Sequence, residues 1–249
     1  MSEMIASNER PNYLAEITPE QIDNTDLSTF AKPPRIKIVQ AMTKPPIKPL
    51  FKDGDIIVLP QSIALGNTEN PFTFTPIHFF PSWICLNPIQ LQGQLRGIRE
   101  YTLDPKSDIA KKAKSFVKEK CPENQEYYLK YNETLNFIVV VDNEEVQDIP
   151  LHLFFAAGEY KTGQILIGNI QARKAPRYAC RFRSASGLHT GPKGQWYGLD
   201  ITNDPQPWVA EESYHKYKKL YEDMKELIDN RALEIDLGEE ENLADSTDM

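Results

Sequence analysis

The 249-residue sequence has no apolar run near the roughly 18 residues that a membrane span requires. Met1 to Arg10 lacks the basic-then-apolar layout of a secretory signal. Together these absences predict a soluble protein that stays in the cytoplasm where it is made and has no membrane partner. Cysteine is scarce: Cys85, Cys121 and Cys180 are odd in number and widely spaced, and they form neither a Cys-x-x-Cys pair nor a cluster with histidine. That pattern excludes a structural zinc and predicts buried thiols in a reducing compartment. Also missing are Gly-x-x-x-x-Gly-Lys, Gly-x-Gly-x-x-Gly after a strand, His-Glu-x-x-His and Gly-x-Ser-x-Gly, the motifs that hold phosphates, dinucleotides, catalytic zinc or a serine nucleophile. The expectation is a protein that is not an enzyme and that uses no cofactor or metal.

Acids are missing from two stretches. Ala31 to Lys52 carries six basic residues and no acid, and Lys161 to Leu199 carries seven and no acid. Glu234 to Met249 reverses this, with seven acids and no base, and Met1 to Phe30 holds six acids against Arg10. The two ends thus carry −5 and −7 of a total of −8, which makes the middle net positive. Such sorting predicts a polyanion-binding body with acidic ends. The boundaries that follow are an acidic segment over 1–30, one β-rich domain over 31–233, and an acidic tail over 234–249 that should be disordered in isolation.

The body reads as mostly β, in an α+β arrangement. Short β-branched or aromatic runs bounded by Gly, Pro, Asn or Asp recur at Arg35 to Met42, Asp55 to Leu59, Phe72 to Phe80, Thr134 to Val141, Leu151 to Phe155, Gln164 to Ile167, Tyr178 to Arg183 and Trp196 to Ile201. Many short strands with turn signals predict a barrel or sandwich. Two helices interrupt them. Asp104-Pro105 opens one to about Lys120, with Ile109, Ala113, Phe116 and Val117 as an apolar stripe. The second runs over about 210–232, where Tyr214, Tyr217, Tyr221, Met224 and Ile228 recur at helical spacing, a stripe that normally packs on a core. Thr18-Pro19-Glu20-Gln21 reads as a capping box for a short helix towards Phe30.

Tyr178 to Arg183 alternates, so as a strand it puts Arg181 and Arg183 on one face and Cys180 and Phe182 on the other. A loop from Ser184 to Gln195, carrying His189 and Lys193, leads to a partner strand in which parity separates Trp196 from Tyr197. Cations beside exposed aromatics suit a single nucleic-acid strand, phosphates meeting the former and bases stacking on the latter. A solvated hairpin with a core tryptophan would read the same way. Arg35 and Lys37 share a face of the first strand, and Lys44-Pro45-Pro46-Ile47-Lys48-Pro49 continues as an extended arm that could follow a phosphate backbone or simply connect strands. Arg173, Lys174 and Arg177 complete the basic set. One metal-dependent alternative needs weighing: Asp148, the run Leu151 to Phe155, and Glu159-Tyr160-Lys161 have the order of a magnesium nuclease set. Gly158 and Gly163, however, bracket the Glu-x-Lys as a turn would.

Taken together, Pro33-Pro34-Arg35-Ile36-Lys37-Ile38-Val39-Gln40, Phe51-Lys52-Asp53-Gly54-Asp55, the Arg/aromatic hairpin with Gly194-Gln195-Trp196-Tyr197, the Tyr-rich helix and the acidic end resemble single-stranded DNA-binding proteins of tailed bacteriophages. The resemblance is one of layout across most of the chain. It implies an OB-like β-barrel that coats single-stranded DNA during phage DNA replication and recombination in the bacterial host cytoplasm. Carried over by position, Arg181, Arg183, Trp196 and Tyr197 would line the groove, and Glu239, Glu240, Glu241, Asp245 and Asp248 would recruit replication proteins. Such proteins often end in an aromatic residue, whereas this sequence ends Thr247-Asp248-Met249. The competing expectations are a virion or scaffold component, which leaves the acid-free basic stretches unexplained, and the nuclease, which needs Asp148 and Glu159 to converge on a metal.

Overall fold

The computed structural model describes residues 32–41, 43, 45–91, 97–191 and 194–229. The expected helix near 18–30 and the acidic tail fall outside them, as do Lys44 and Lys193. Ten strands form one curled, barrel-like sheet: β1 (Arg35–Ile38), β2 (Ile56–Leu59), β3 (Ile63–Gly66), β4 (Phe72–Leu86), β5 (Ile98–Thr102), β6 (Glu119–Lys120), β7 (Tyr128–Val141), β8 (Leu151–Phe155), β9 (Cys180–Gly191) and β10 (Gly194–Trp208). The order across the sheet is β10-β9-β4-β7-β8-β1-β2-β3, with β5 added to β4 and β6 to β7. The long antiparallel pairs β4·β7 and β9·β10 form its backbone, and β1 runs parallel to β8. Three helices complete the described part: α1 (Asp108–Lys114), α2 (Tyr160–Ala172) and α3 (Glu211–Asp229). None is long and apolar enough to cross a membrane.

Alternation decides which side chains fill the curl. Phe72 and Phe74 from β4, Phe137, Val139 and Val141 from β7, Leu153 and Phe155 from β8, and Cys180 and Phe182 from β9 make one apolar core with Leu166 of α2. Gly163 lets α2 lie this close: a Cβ there would stand 2.8 Å from Leu135 Cδ1 and 3.0 Å from Phe155. On the outer face Ile77, Phe80, Ile138 and Val140 are covered by Tyr217, Tyr221, Met224 and Ile228 of α3, so the tyrosine stripe packs on a core as its spacing implied. The three cysteines are free and buried.

Several expected elements need correction. Gln164 to Ile167 is part of α2 rather than a strand: four residues carry no resolvable period, and burying Leu166 beside Gly163 needs the helical spacing. The strand expected over Tyr178 to Arg183 begins only at Cys180, because Arg177–Ala179 form a 3-10 turn, and residues 184–191 extend β9 instead of forming a loop. The helix expected over 105–120 is only α1. Ser107 rather than Asp104 is its cap, accepting from the Ala110 amide at 3.2 Å, and Phe116 turns into the left-handed region (φ 49°), 88% exposed, before β6. β3, β5 and β6 were not anticipated.

Candidate nucleic-acid interface

The β9–β10 hairpin keeps the alternation read from its sequence. Cys180 and Phe182 are fully buried, while Arg181 and Arg183 share the opposite face. Arg181 is spent on an ion pair, Nη2 standing 2.9 Å from Asp142 Oδ2 beside the start of α3. Arg183 sits between Thr73 and Thr202 and, among the described residues, has no acidic partner. Arg173 is structural: Nη1 donates to the Pro207 carbonyl at 2.6 Å, Nη2 donates to Asn203 Oδ1 at 2.8 Å, and the guanidinium lies 4.1 Å from the Phe182 ring centroid. Lys174 is exposed at φ 51°, and burial pushes the Arg177 pKa below its ordinary value. Arg35 and Lys37 share the face of β1 opposite Ile36, level with Leu59 and Ile57 of β2. Along the ladder β4, β7 and β8 lie between β9 and β1, so the two basic stretches are not on neighbouring paired strands.

Trp196 and Tyr197 lie on opposite faces of β10, and neither adjoins the arginines. Trp196 is level with His189, whereas Arg183 is level with Thr202. Six residues of strand separate those levels, about 20 Å at the usual rise. What Trp196 and Tyr197 do instead is close the sheet. Gln40, just past β1, grips the outer edge of β10: its Nε2 donates to the Tyr197 carbonyl at 2.7 Å, and its Oε1 accepts from the Tyr197 amide at 2.9 Å. Glu159, at the start of α2, accepts from Trp196 Nε1 with Oε1 and from the Leu199 amide with Oε2, both at 3.0 Å. The indole packs on Gly158 and Gly191, and the Tyr197 ring lies on Gly54, where a Cβ would stand only 2.8 Å away and φ is +88°. His189 approaches Trp196 edge-on and bonds Asp200 at 3.1 Å. Exposed strand edges invite pairing with other chains, and here two side chains occupy one such edge.

The seam so made is bridged but not filled. β1 and β8 share a single pair, Arg35 level with His152, fixed by the His152 amide donating to the Pro34 carbonyl at 2.7 Å. Beyond it no ladder pairing joins the two strands among the described residues. A cleft of about 810 Å³ opens between them, with Ile36, Ile38, Phe154, Trp196 and Tyr197 as apolar walls and Gln40, Lys130, Glu159 and Gln195 at its polar positions. Phe154 is the half-buried member of an otherwise buried strand. Gln40, Phe154 and Glu159 went unnoticed as parts of a binding cleft. The one available signal was Glu159 lying within an apolar stretch.

The alternative metal set does not assemble. Asp148 and Glu159 lie at opposite ends of β8, and Asp148 pairs with Lys216 of α3 while Glu159 is held by β10. Lys161 is exposed on α2. Among the described residues no group of three or more His, Cys, Asp or Glu side chains could hold a metal ion. Compared with protein families, with curated proteins and with solved structures, the chain has no significant match.

Proposed function

We propose that this protein binds single-stranded DNA, with little sequence preference and without turnover, as a coating protein of DNA replication and recombination. The observation that carries the reading is the cleft at the sheet seam, whose aromatic and aliphatic walls end at strand edges lacking ladder partners. Unpaired bases have flat apolar faces and polar edges, so such a cleft matches them chemically. Duplex DNA keeps its bases stacked and cannot offer them. Lys130 stands at the cleft and Lys161 lies on the first turn of α2, whose N-cap residue Glu159 has its two carboxylate oxygens engaged by the Trp196 indole and the Leu199 amide. These two cations favour a phosphate backbone along the rim. The acidic segment 234–249 is read as the part that competes with DNA for the basic body and recruits replication proteins.

Titration of labelled thymidine oligonucleotides and duplexes at about 50 and 200 mM salt tests the reading. The single strand should bind more tightly, with log affinity falling by about 0.7 per phosphate contact for each log unit of salt. Absent or salt-insensitive binding overturns it. Magnesium-dependent shortening of the oligonucleotide replaces it with the nuclease.

A further inference from the structure

At the end of α2 away from the seam, a second concavity of about 520 Å³ is bounded by Ile170, Lys174, Pro176, Arg177, Tyr178 and Tyr221. The 13 residues of α2 span about 20 Å, so this is a site apart from the cleft. Arg177 sets its chemistry. Its guanidinium is partly withdrawn from water and, among the described residues, has neither a hydrogen bond nor an ion pair. Arg99, Arg173 and Arg181, by contrast, each meet an acceptor within 3 Å. The acids on this side of α3, Glu222 and Asp229, act on Tyr178 and His78 and do not pair with Arg177. His78 feels the Arg177 charge, stacks on Tyr221, and keeps a buried Nδ1 without a hydrogen-bond partner. A cation taken from water is ordinarily paired, and among the described residues no acid pairs with this one.

Lys174 is the second, independent observation. It follows the C-cap of α2 at φ 51°, the place where a helix is normally ended by glycine because other residues are strained there. A lysine at this position sets another cation on the rim of the same concavity.

We propose that the concavity binds a phosphoryl group, with the Arg177 fork on two of its oxygens, Lys174 as the second charge, and the Tyr178 and Tyr221 rings beside the organic part of the ester. The planar guanidinium suits this bidentate contact, and the apolar walls suit an ester better than a bare ion. The phosphoryl group has two possible sources, a free or terminal phosphomonoester and the phosphodiester backbone of a nucleic acid. The site does not depend on the single-strand reading.

The test uses the full chain. Thermal melts at constant ionic strength, with chloride replaced by inorganic phosphate or by thymidine 5′-monophosphate, should show a saturable rise in Tm, larger for the nucleotide. Arg177→Gln should abolish the rise. Lys174→Gly should weaken it several-fold while raising the ligand-free Tm, because glycine relieves the backbone; a merely structural lysine would not separate these two readouts. Oligonucleotides with a 5′-phosphate or a 5′-hydroxyl then assign the source. If Arg177→Gln weakens only the phosphorylated one, the ligand is a monoester, and if it weakens both alike, the ligand is the backbone. A rise that chloride reproduces, or that Arg177→Gln retains, overturns the proposal. Phosphate binding without oligonucleotide binding keeps this site and discards the single-strand reading.

Discussion

The Gln40 side chain takes both backbone groups of Tyr197, donating to its carbonyl at 2.7 Å and accepting from its amide at 2.9 Å. One amide thereby acts as a short strand and joins the two sides of the curled sheet at the mouth of the cleft.

Gln40→Ala should therefore leave one donor and one acceptor of β10 without partners in a half-buried setting. The expected cost is about 1–2 kcal/mol in urea unfolding, with an unchanged dependence on denaturant. Gln40→Glu should cost more than its similar shape suggests, since a carboxylate still accepts from the amide but repels the carbonyl. If both variants melt like the parent, the seam is held by Glu159 and packing alone.

Two glycines of α2 should respond with opposite signs. Gly168 faces open space, so Gly168→Ala gains ordinary helix propensity, about 0.5–1 kcal/mol. Gly163 meets Leu135 and Phe155, so Gly163→Ala must move the helix off the core and should cost about 1–3 kcal/mol. Chemical unfolding of the pair checks this, and stabilisation by both would mean that α2 is not seated on the sheet as described.

Acidification offers a separate check on the β5–β6 corner. Glu123 accepts hydrogen bonds from the Cys121 thiol and from Arg99, which hold its carboxyl down to about 2 from an ordinary 4.5. A folded pKa depressed in this way contributes stability that is complete above about 4.5 and is lost as the pH falls towards 2. Glu123→Gln should flatten the stability profile in that window and leave the neutral-to-alkaline side parallel to the parent. An unchanged acid limb would show that the corner is open in solution.

The sequence made the strands legible wherever alternation ran long enough, as in Cys180 to Arg183, because burying Phe182 fixes the face of its neighbours, although the two residues before it, Tyr178 and Ala179, belong to a 3-10 turn. It made the α3 stripe legible for the same reason at the other period. Gln164 to Ile167 failed because four apolar-rich residues fit either period, and the helix is dictated by Leu135 and Phe155, far away in the chain. The cleft was illegible for a related reason. Gln40 and Tyr197 are 157 residues apart, and nothing local to a glutamine after a strand announces its distant partner. The charge sorting was visible at once, but which cations are free was not: Arg173 and Arg181 are consumed by the fold, and only their tertiary partners reveal it.

That division of the cations gives the last prediction its form. If bases enter the seam while phosphates follow its rim, substitutions in the walls and on the rim should separate in their salt dependence. Phe154→Ala removes a half-buried wall ring and should weaken single-strand binding by about 1–3 kcal/mol with the salt slope unchanged. Lys130→Ala and Lys161→Ala should each lower that slope by about 0.7, the share of one released counterion. Arg181→Ala should do neither in binding. It leaves Asp142 without its partner, which should appear as a modest loss of stability, since an exposed pair of this kind contributes little. Anisotropy titrations of the four variants at several salt concentrations distinguish the cases. A slope lowered by Arg181→Ala, together with an unaffected Phe154→Ala, would move the binding surface from the seam to the outer face of β9.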